Sequence, residues 1–239
     1  MVLAPYIPMQ WRLRIADFRG RGVYSGYPNR CRCIFIHIPK TAGSSIVETL
    51  FGERSRHIPY FEYERANPRK FKRFFKFAFV RNPWDRVVST YSFLRRGGMN
   101  EQDRMWSAQC LSRYPDFSSF VRGWLSEENI WSWVHFIPQG HFILNDQGTV
   151  MVDYVGRFER IDEDFAYVAH CLGRDIRLDK TNESGHRHFS SYYEEDTREI
   201  VRRVYARDIE AFNYRFEGAA PWTDQPSSSV GAQCHSESA

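Results

Sequence analysis

Hydrophobic and polar positions along the chain fall into blocks that predict strands and helices in alternation. Two short apolar runs, CIFIHI at 33–38 and FAFV at 77–80, are rich in residues that favour buried strands. Each run is followed by a polar turn and then by a stretch with helical spacing, SSIVETLF at 44–51 and NPWDRVVSTYSFL at 82–94. This alternation predicts an α/β protein whose strands are mainly parallel and are covered by helices on both faces.

The remaining periodic stretches extend the same pattern towards the C-terminus. Residues 67–75 are predicted to form a helix with three phenylalanines on one face, the last of them Phe75. A hairpin or two adjacent strands are predicted over 141–156, with a turn at 145–148. Further helices are predicted at 116–125, at 161–173, where Gly173 ends the helix, and at 196–212, where Asp196 and Glu199 are spaced as a capping box.

Composition divides the chain into three parts. Residues 1–30 are rich in Pro, Gly, Arg and Tyr without a clear period, and are predicted to form an irregular N-terminal arm. Residues 31–218 hold the periodic segments and are predicted to form one domain. Residues 219–239 are polar and are predicted to be a flexible tail. The predicted fold of the domain is α/β, with a P-loop-NTPase-like central, mainly parallel sheet flanked by helices on both faces.

Charge and cysteine content narrow the classes of function. The 239 residues carry a formal net charge of +4, which suits an anionic ligand but is too weak to indicate nucleic acid as a partner. No apolar run approaches the roughly 20 residues that a membrane span needs, and the N-terminus lacks the pattern of a signal peptide. The five cysteines are scattered and do not suggest a disulfide framework. These observations predict a reduced, cytoplasmic protein with no membrane span and no metal site. The alternative is a catalytic domain cut from a membrane-anchored parent, which would have a similar composition.

The loop IPKTAGSS, at 38–45, carries groups that can bind an anion. It leaves a predicted strand at the end where open α/β sheets bind ligands. It leads into a predicted helix, whose first N–H groups and dipole attract anions. Gly43 allows a ligand to approach the backbone closely, and Lys40 adds a positive charge. Taken alone, the loop fits a strand–turn–helix connection with a surface lysine equally well.

A second strand, turn and helix lie in FVRNPWDRVVSTY, at 79–91. Arg81 leaves the end of the strand, Asn82 is suited to the N-cap, and Ser89 lies in the helix. A guanidinium binds phosphate through its planar fork, so two such loops together fit two phosphate groups of one nucleotide. The alternative is that Arg81 and Asp85 form only an ion pair at the end of the strand.

Together, the two loops resemble the two cofactor motifs of sulfotransferases that depend on 3′-phosphoadenosine 5′-phosphosulfate (PAPS). The resemblance is to the carbohydrate (glycosaminoglycan-type) branch and its short soluble bacterial relatives. It extends over about 31–218 through FIPQ at 136–139, VDYVGRFERIDEDF at 152–165 and a late segment at 205–216. It implies transfer of a sulfuryl group from PAPS to an acceptor hydroxyl of a carbohydrate, by in-line displacement and without a metal.

The resemblance also implies roles for particular residues. The 5′-phosphosulfate would be held by the first motif, through Lys40, Thr41, Ala42, Gly43, Ser44 and Ser45. Arg81 and Ser89 would hold the 3′-phosphate, while Arg157 and the loop NESGHRH at 182–188 would close over the nucleotide. Lys40 would also stabilise the charge that grows on the bridging oxygen, which makes it a catalytic residue.

A base must take the proton of the acceptor hydroxyl, and histidine has a suitable pKa. The resemblance implies a catalytic histidine between the two motifs, so His57 is the first candidate. Glu62 or Glu64 could orient His57 or replace it, and His135 and His141 are second candidates. The other histidines considered are His37, interpreted as structural, and His186 and His188, in a loop on the cofactor side.

Two other hypotheses remain at this level. A P-loop-like small-molecule kinase would need the pattern G-x-x-x-x-G-K-[ST], but Lys40 precedes the glycine of its loop, and no acidic strand end offers a magnesium ligand. A non-catalytic module that binds a nucleotide or a glycan would keep the same fold. Retention of Lys40, Arg81 and Ser89 argues against such a module.

Overall fold

The computed structural model describes residues 9–178 and 187–219, and a parallel sheet lies at its centre. Three strands, β1 (Cys33–Ile36), β2 (Phe75–Val80) and β3 (Tyr154–Arg157), pair in the order β1–β2–β3. Both pairings are parallel. The prediction of an α/β fold with strands at the two apolar runs is therefore confirmed.

Helices precede, connect and follow these strands. In the described residues they are α1 (Met9–Phe18), α2 (Tyr27–Cys31), α3 (Gly43–Phe51), α4 (Tyr60–Ala66), α5 (Pro68–Arg73), α6 (Pro83–Arg95), α7 (Glu101–Cys110), α8 (Phe117–Trp124), α9 (Gly140–Ile143), α10 (Ile161–Cys171), α11 (Glu195–Val204) and α12 (Ala206–Ala211). A small antiparallel ladder joins β4 (Tyr214–Arg215) to β5 (Gly218–Ala219). None of the helices in this part of the chain has the length and apolar character needed to cross a bilayer.

Successive residues of a strand point to opposite faces of the sheet, and both faces of the central sheet are buried. On one face, strand phenylalanines pack against α3 and α10, and this cluster includes Phe35, Phe77, Phe79, Leu50 and Phe165. On the other face, the isoleucines of β1 pack against α4, α5 and α9, and this cluster includes Ile34, Ile36, Tyr63, Phe71 and Phe142. We call these two clusters together the sheet core.

A third cluster, which we call the helical core, lies beside the sheet. It is formed by α6, α7, α8 and α11, with buried residues that include Val88, Leu94, Trp106, Phe120 and Val201. Because α6 begins directly after β2, it leads from the sheet into this second core. The loop after β1 also reaches the helical core, since Lys40 contacts Phe93 of α6. We call this boundary between the two cores the seam.

The segment predicted as an irregular arm is partly helical, so that prediction was wrong. It contains α1 and α2, and Tyr24 between them is fully buried. The Tyr24 hydroxyl donates to the Tyr63 carbonyl at 2.9 Å, which ties the segment to α4. A single buried aromatic residue such as Tyr24 produces no repeating hydrophobic pattern in the sequence. The predicted tail lies outside the described residues from residue 220 onward.

The stretch predicted as a hairpin contains a turn but no pair of strands. Residues 140–143 form α9, and a single antiparallel bridge joins Leu144 to Val150 around the turn. The chain then enters β3, which pairs in parallel with β2. The prediction failed because a short apolar run fits a buried helical turn as well as a strand.

The helix predicted at 196–212 is divided at Tyr205 into α11 and α12, and two helix boundaries also differ from the prediction. Phe75 begins β2 and does not belong to the preceding helix, since α5 ends before it. At the start of α11, Glu194 and Thr197 form the capping box in place of Asp196 and Glu199. Either pair has suitable side chains, and packing of the helix decides which register is used.

Candidate active site

The loop that follows β1 is held in a tight turn. Lys40 and Ala42 have φ values of 69° and 63°, in a region that residues with a side chain rarely adopt. The Thr41 hydroxyl donates to the Ile38 carbonyl at 2.9 Å and closes the turn. Thr41 therefore supports the loop internally, although it was predicted as a ligand donor. The contact between Thr41 and a phosphosulfate stays a prediction.

The turn leaves the first residues of α3 without a side-chain cap. Ala42 is the N-cap, and its methyl group accepts no hydrogen bond. Asparagine or aspartate side chains cap the neighbouring helices α6, α7 and α8. Uncapped N–H groups at a helix start, together with the helix dipole, favour an anion. Ser44 is exposed and Ser45 is buried in this first turn.

Gly43 is required by the position of His37. A Cβ on Gly43 would overlap the His37 imidazole, which lies against the start of α3. The His37 ring stacks on Phe35, with centroids 5.6 Å apart, and its Nδ1 lies 2.6 Å from the Ser55 hydroxyl. Burial holds the pKa of His37 well below its usual range. The ring is therefore neutral and supports the loop, in keeping with its interpretation as structural.

The Lys40 ammonium lies at the seam, close to an aromatic ring and to other cations. Its Nζ is 3.8 Å from the centroid of the Phe93 ring. Burial, together with the positive charges of Arg81 and Arg96, lowers the pKa of Lys40 to about 8. A bound anion would offset this repulsion between cations and favour the charged lysine.

Arg81 joins the second motif to the first. Its Nε donates to Asp85 at 2.7 Å, so the ion pair considered from the sequence is present. Its Nη1 also donates to the Lys40 carbonyl at 3.2 Å. The Gln139 side chain accepts from the Arg81 N–H and donates to the Arg81 carbonyl, each at 2.8 Å. Arg81 thus braces the first loop, and a phosphate contact would be additional to this role.

The helix α6 carries the other predicted residues of the second motif. Asn82 caps it, as predicted, by accepting from the Trp84 N–H at 3.0 Å. The Asn82 N–H donates to Glu159 at 2.6 Å, and burial raises the pKa of that carboxyl. Ser89 is buried, roughly 9 Å along the helix from Pro83. Its contact with a 3′-phosphate stays a prediction.

Arg157 ends β3 and points towards the C-terminal segment. Its Nη2 donates to the Phe212 carbonyl at 2.8 Å, and its guanidinium lies 4.7 Å from the centroid of Tyr214. These contacts give Arg157 a structural role, and its contact with the nucleotide stays a prediction. The loop predicted to close over the nucleotide, at 182–188, lies outside the described residues as far as residue 186.

His57 is held near the first loop with one tautomer favoured. Its Nδ1 lies 2.9 Å from the His37 carbonyl. A carbonyl oxygen only accepts, so Nδ1 carries the proton and Nε2 keeps its lone pair in the neutral ring. Burial lowers the pKa of His57, the His37 carbonyl opposes that shift, and the Lys40 charge adds to it. His57 is therefore neutral at pH 7, which is the state that a general base needs.

A second histidine, His135, approaches His57 from the helical core. The two ring centroids are 6.1 Å apart, and the His135 ring also lies 5.1 Å from Phe93. Its Nε2 lies 3.0 Å from Oδ1 of Asp103 in α7, a residue that is only 2% exposed. Sequence reasoning named His135 as a second candidate but missed Asp103. An acidic residue in the first turn of a helix is ordinary, so no signal marked it.

A cavity of about 520 Å³ adjoins the segments that carry these histidines. Tyr60 and Phe61, which closely follow His57, line one side of it, and Trp131 and His141 line another. The His141 ring lies 5.5 Å from Phe61 and 5.3 Å from Trp131, and Trp131 is half exposed. The lining also includes charged side chains of both signs, among them Glu127, Asp146, Arg203 and Arg207. His141, a second candidate for the base, thus belongs to this cavity.

Among the remaining candidates for the base, Glu64 is half-buried in α4, while Glu62, His186 and His188 have other partners or lie outside the described residues. Glu62 forms an ion pair with Arg65 on α4, at 3.2 Å. His188 is exposed, and its Nδ1 lies 2.7 Å from the Ser190 hydroxyl, while His186 is outside the described residues. Within 9–178 and 187–219, no group of three or more His, Cys, Asp or Glu side chains is arranged to hold a metal ion.

Comparisons with known proteins give one family match. The family described as "Sulfotransferase family" matches residues 28–215, a range that includes both loops, both histidines and Asp103. An uncharacterized protein from Archaeoglobus fulgidus is 29% identical to this chain over 115 residues, which are 48% of this chain and 81% of that protein. No solved structure gives a significant match.

Proposed function

Because this chain belongs to the sulfotransferase family, we propose that it transfers a sulfuryl group from PAPS to an acceptor hydroxyl of a carbohydrate. The family is one of transferases that generally use PAPS as the sulfate donor. The observation that carries the proposal is the arrangement of Lys40 and His57 around the uncapped start of α3. Transfer of an anionic group to a hydroxyl needs a cation, a binding site for the anion and a neutral base. Lys40, the start of α3 and His57 offer these three groups.

The residues around α3 fit a donor with several anionic groups. The charges of Arg81 and Arg96 lower the pKa of Lys40, so three cations act in one region. The start of α3 lacks a side-chain cap, which leaves backbone donors for the phosphosulfate end. Arg81 and Ser89 follow β2, the next strand of the sheet, where the 3′-phosphate would be held. When bound, PAPS supplies the sulfuryl group.

Lys40 and His57 divide the chemistry between them. His57 Nε2 accepts the proton of the acceptor hydroxyl, because Nδ1 is engaged with the His37 carbonyl. The Lys40 ammonium neutralises the negative charge on the phosphate that leaves. As in phosphoryl transfer, the protein mainly positions the reacting groups and stabilises charge.

The proposed carbohydrate acceptor is supported by the cavity that His141 lines. Its volume of about 520 Å³ is in the range of small-molecule sites. Aromatic rings such as Phe61 and the half-exposed Trp131 can pack against the apolar faces of sugar rings. Arg203, Arg207, Glu127 and Asp146 offer donors and acceptors for hydroxyl groups.

Thermal unfolding with two nucleotides tests the donor. The protein is heated with 3′-phosphoadenosine 5′-phosphate (PAP) and, separately, with ATP and Mg²⁺. A ligand at 100 times its Kd adds about 2.7 kcal/mol to the free energy of unfolding, so PAP should raise Tm clearly. Stabilisation by ATP and Mg²⁺ but not by PAP would favour the small-molecule kinase instead.

Transfer of labelled sulfate from PAPS to a panel of glycans and small alcohols tests the acceptor. The proposal expects transfer to at least one glycan, and expects His57→Ala to lower its rate by roughly 100- to 10,000-fold. Exclusive transfer to small alcohols would contradict the carbohydrate acceptor. Binding of PAP without transfer to any member of the panel would favour a non-catalytic binding module.

A further inference from the structure

Asp103 is a buried carboxylate of α7 that contacts His135. Its Oδ2 accepts from the Met99 N–H at 3.0 Å, and its Oδ1 lies 3.0 Å from His135 Nε2. Only 2% of the residue is exposed. Burying a carboxylate to this degree costs free energy of folding unless its charge interacts with partners. The partners of Asp103 are therefore important.

The surroundings of His135 fix both its position and its tautomer. Its backbone carbonyl accepts from Arg86 Nη1 at 3.1 Å and from the Thr90 hydroxyl at 3.3 Å. An ionised carboxylate only accepts, so His135 Nε2 carries the proton shared with Asp103 and Nδ1 keeps its lone pair. Nδ1 is buried and has no hydrogen-bond partner among the described residues. Burial lowers the pKa of His135 to about 4 against the opposing charge of Asp103, so the ring is neutral at pH 7.

The charge of Asp103 acts across the seam on both proposed catalytic groups. Burial lowers the pKa of Lys40 and of His57, and the Asp103 carboxylate raises both. His135 lies between Asp103 and His57, with its ring 6.1 Å from that of His57. Phe93 contacts the His135 ring on one side and Lys40 on another. The charge of Asp103 therefore offsets part of the positive charge around Lys40 and His57.

We propose that Asp103 and His135 are positioning residues, which stabilise the positive charge that His57 acquires when it takes the proton of the acceptor. This inference rests on the proposed function. The acceptor O–H bond breaks and its proton goes to His57 Nε2. The acceptor oxygen bonds to sulfur while the sulfur–oxygen bond to the 5′-phosphate breaks, and the electron pair of that bond stays on the phosphate. Asp103 and His135 keep their own protonation states throughout.

The test replaces Asp103 by asparagine, which keeps the shape of the side chain and removes its charge. In Asp103→Asn we expect kcat to fall roughly 100-fold, with little change in the Kd for PAP. Both limbs of the pH profile of kcat/KM should move to lower pH, because His57 and Lys40 lose the same stabilising charge. Besides Asp103, the charges that act on these two residues are those of Arg81 and Arg96, which act on Lys40, and that of Lys40, which acts on His57.

Glu101→Gln is the matched control. Glu101 lies on the same helix, and its exposed side chain pairs with Arg104 at 2.6 Å, so the variant loses the same charge at the surface. We expect wild-type kcat and an unchanged pH profile. Equal losses in the two variants, or a loss in neither, would overturn the inference.

NMR titration of the His57 ring separates this inference from the proposed reaction, because it needs no turnover. We expect the pKa of His57 to fall by roughly 0.5–1.5 units in Asp103→Asn. An unchanged His57 titration would overturn the inference even if sulfate transfer is observed. A shifted titration in a protein that transfers no sulfate would contradict the proposed function and leave the charge coupling in place.

Variants of His135 keep the inference testable if Asp103→Asn does not fold. The amide of His135→Gln can still donate to Asp103, whereas the ring of His135→Phe cannot. We expect the His57 pKa and kcat to stay nearer to wild type in His135→Gln than in His135→Phe. Identical behaviour of the two variants would count against a role for the contact between His135 and Asp103.

Discussion

The proposed roles of Lys40 and His57 predict the pH range in which the site works. The pKa of Lys40, lowered by burial and nearby arginines, is about 8, so the charged form is lost above that pH. The pKa of His57 is lowered mainly by burial, and its protonated form cannot accept a proton. We expect a bell-shaped profile of kcat/KM, with an alkaline limb near pH 8 and an acid limb below the ordinary histidine pKa of about 6.5. Lys40→Arg should move the alkaline limb upward, since arginine stays charged, and an unmoved limb would contradict the assignment.

Binding and turnover should separate between two single-residue variants. His57→Ala should lower kcat by roughly 100- to 10,000-fold and keep the thermal shift with PAP, because the base acts on the acceptor. Arg81→Ala should mainly lose the thermal shift, since Arg81 donates to the Lys40 carbonyl and braces the first loop. The control is His170→Ala, on the exposed face of α10. Normal turnover in His57→Ala would assign the base elsewhere, first to His135. Loss of PAP binding in His57→Ala would contradict the separation of binding from turnover.

At the scale of residues, the sequence was informative where a short motif carries the chemistry. Lys40 and Arg81 lie in loops whose residue types and order suggest anion binding, and the structure connects them through one hydrogen bond. Asp103 could not be predicted, because its importance comes from contact with His135, 32 residues away in the chain. The tight packing of His37 on Gly43 was equally hidden, since it depends on the path of the backbone.

At the scale of elements, two glycines that bracket α3 test what the loop contributes. Gly52 has a φ of 65° with open space around it, so Gly52→Ala should cost about 1 kcal/mol of stability and leave PAP binding intact. Gly43→Ala would push against the His37 ring and should weaken PAP binding as well. Both variants are compared by chemical unfolding and by the thermal shift with PAP. Equal PAP binding in the two would show that the start of α3 tolerates displacement.

The predicted elements were those with a long period or a strong terminal signal. β1 with α3, and β2 with α6, were found from apolar runs followed by turns and caps. The short helices α2 and α9 have five and four residues, too few to show a period or to be stable alone. These two helices therefore depend on tertiary packing, which a local pattern in the sequence cannot indicate.

At the scale of the whole molecule, Asp208 holds the C-terminal helices to the site. Its two carboxylate oxygens accept from the N–H groups of Gln139 and Gly140, at 2.7 and 2.8 Å, and it is 1% exposed. Asp208→Ala leaves two buried donors unpaired, which should cost about 2–5 kcal/mol and lower Tm by roughly 5–15 °C. Glu210→Ala, an exposed change on the same helix, should leave Tm within about 2 °C of wild type. A wild-type Tm in Asp208→Ala would refute this role.

The seam places the candidate active site between two hydrophobic cores, so turnover should depend on how those cores pack against each other. Lys40 and His57 lie on the side of the sheet core and Asp103 and His135 on the side of the helical core, and the contact between Lys40 and Phe93 crosses the seam. We expect a partial opening of the seam to stop turnover. Circular dichroism should hardly change, because the sheet core and the helical core would stay folded. A ligand that binds across the seam should stabilise the contact between the sheet core and the helical core. In hydrogen exchange, the slow-exchanging amides of the two cores should then open together.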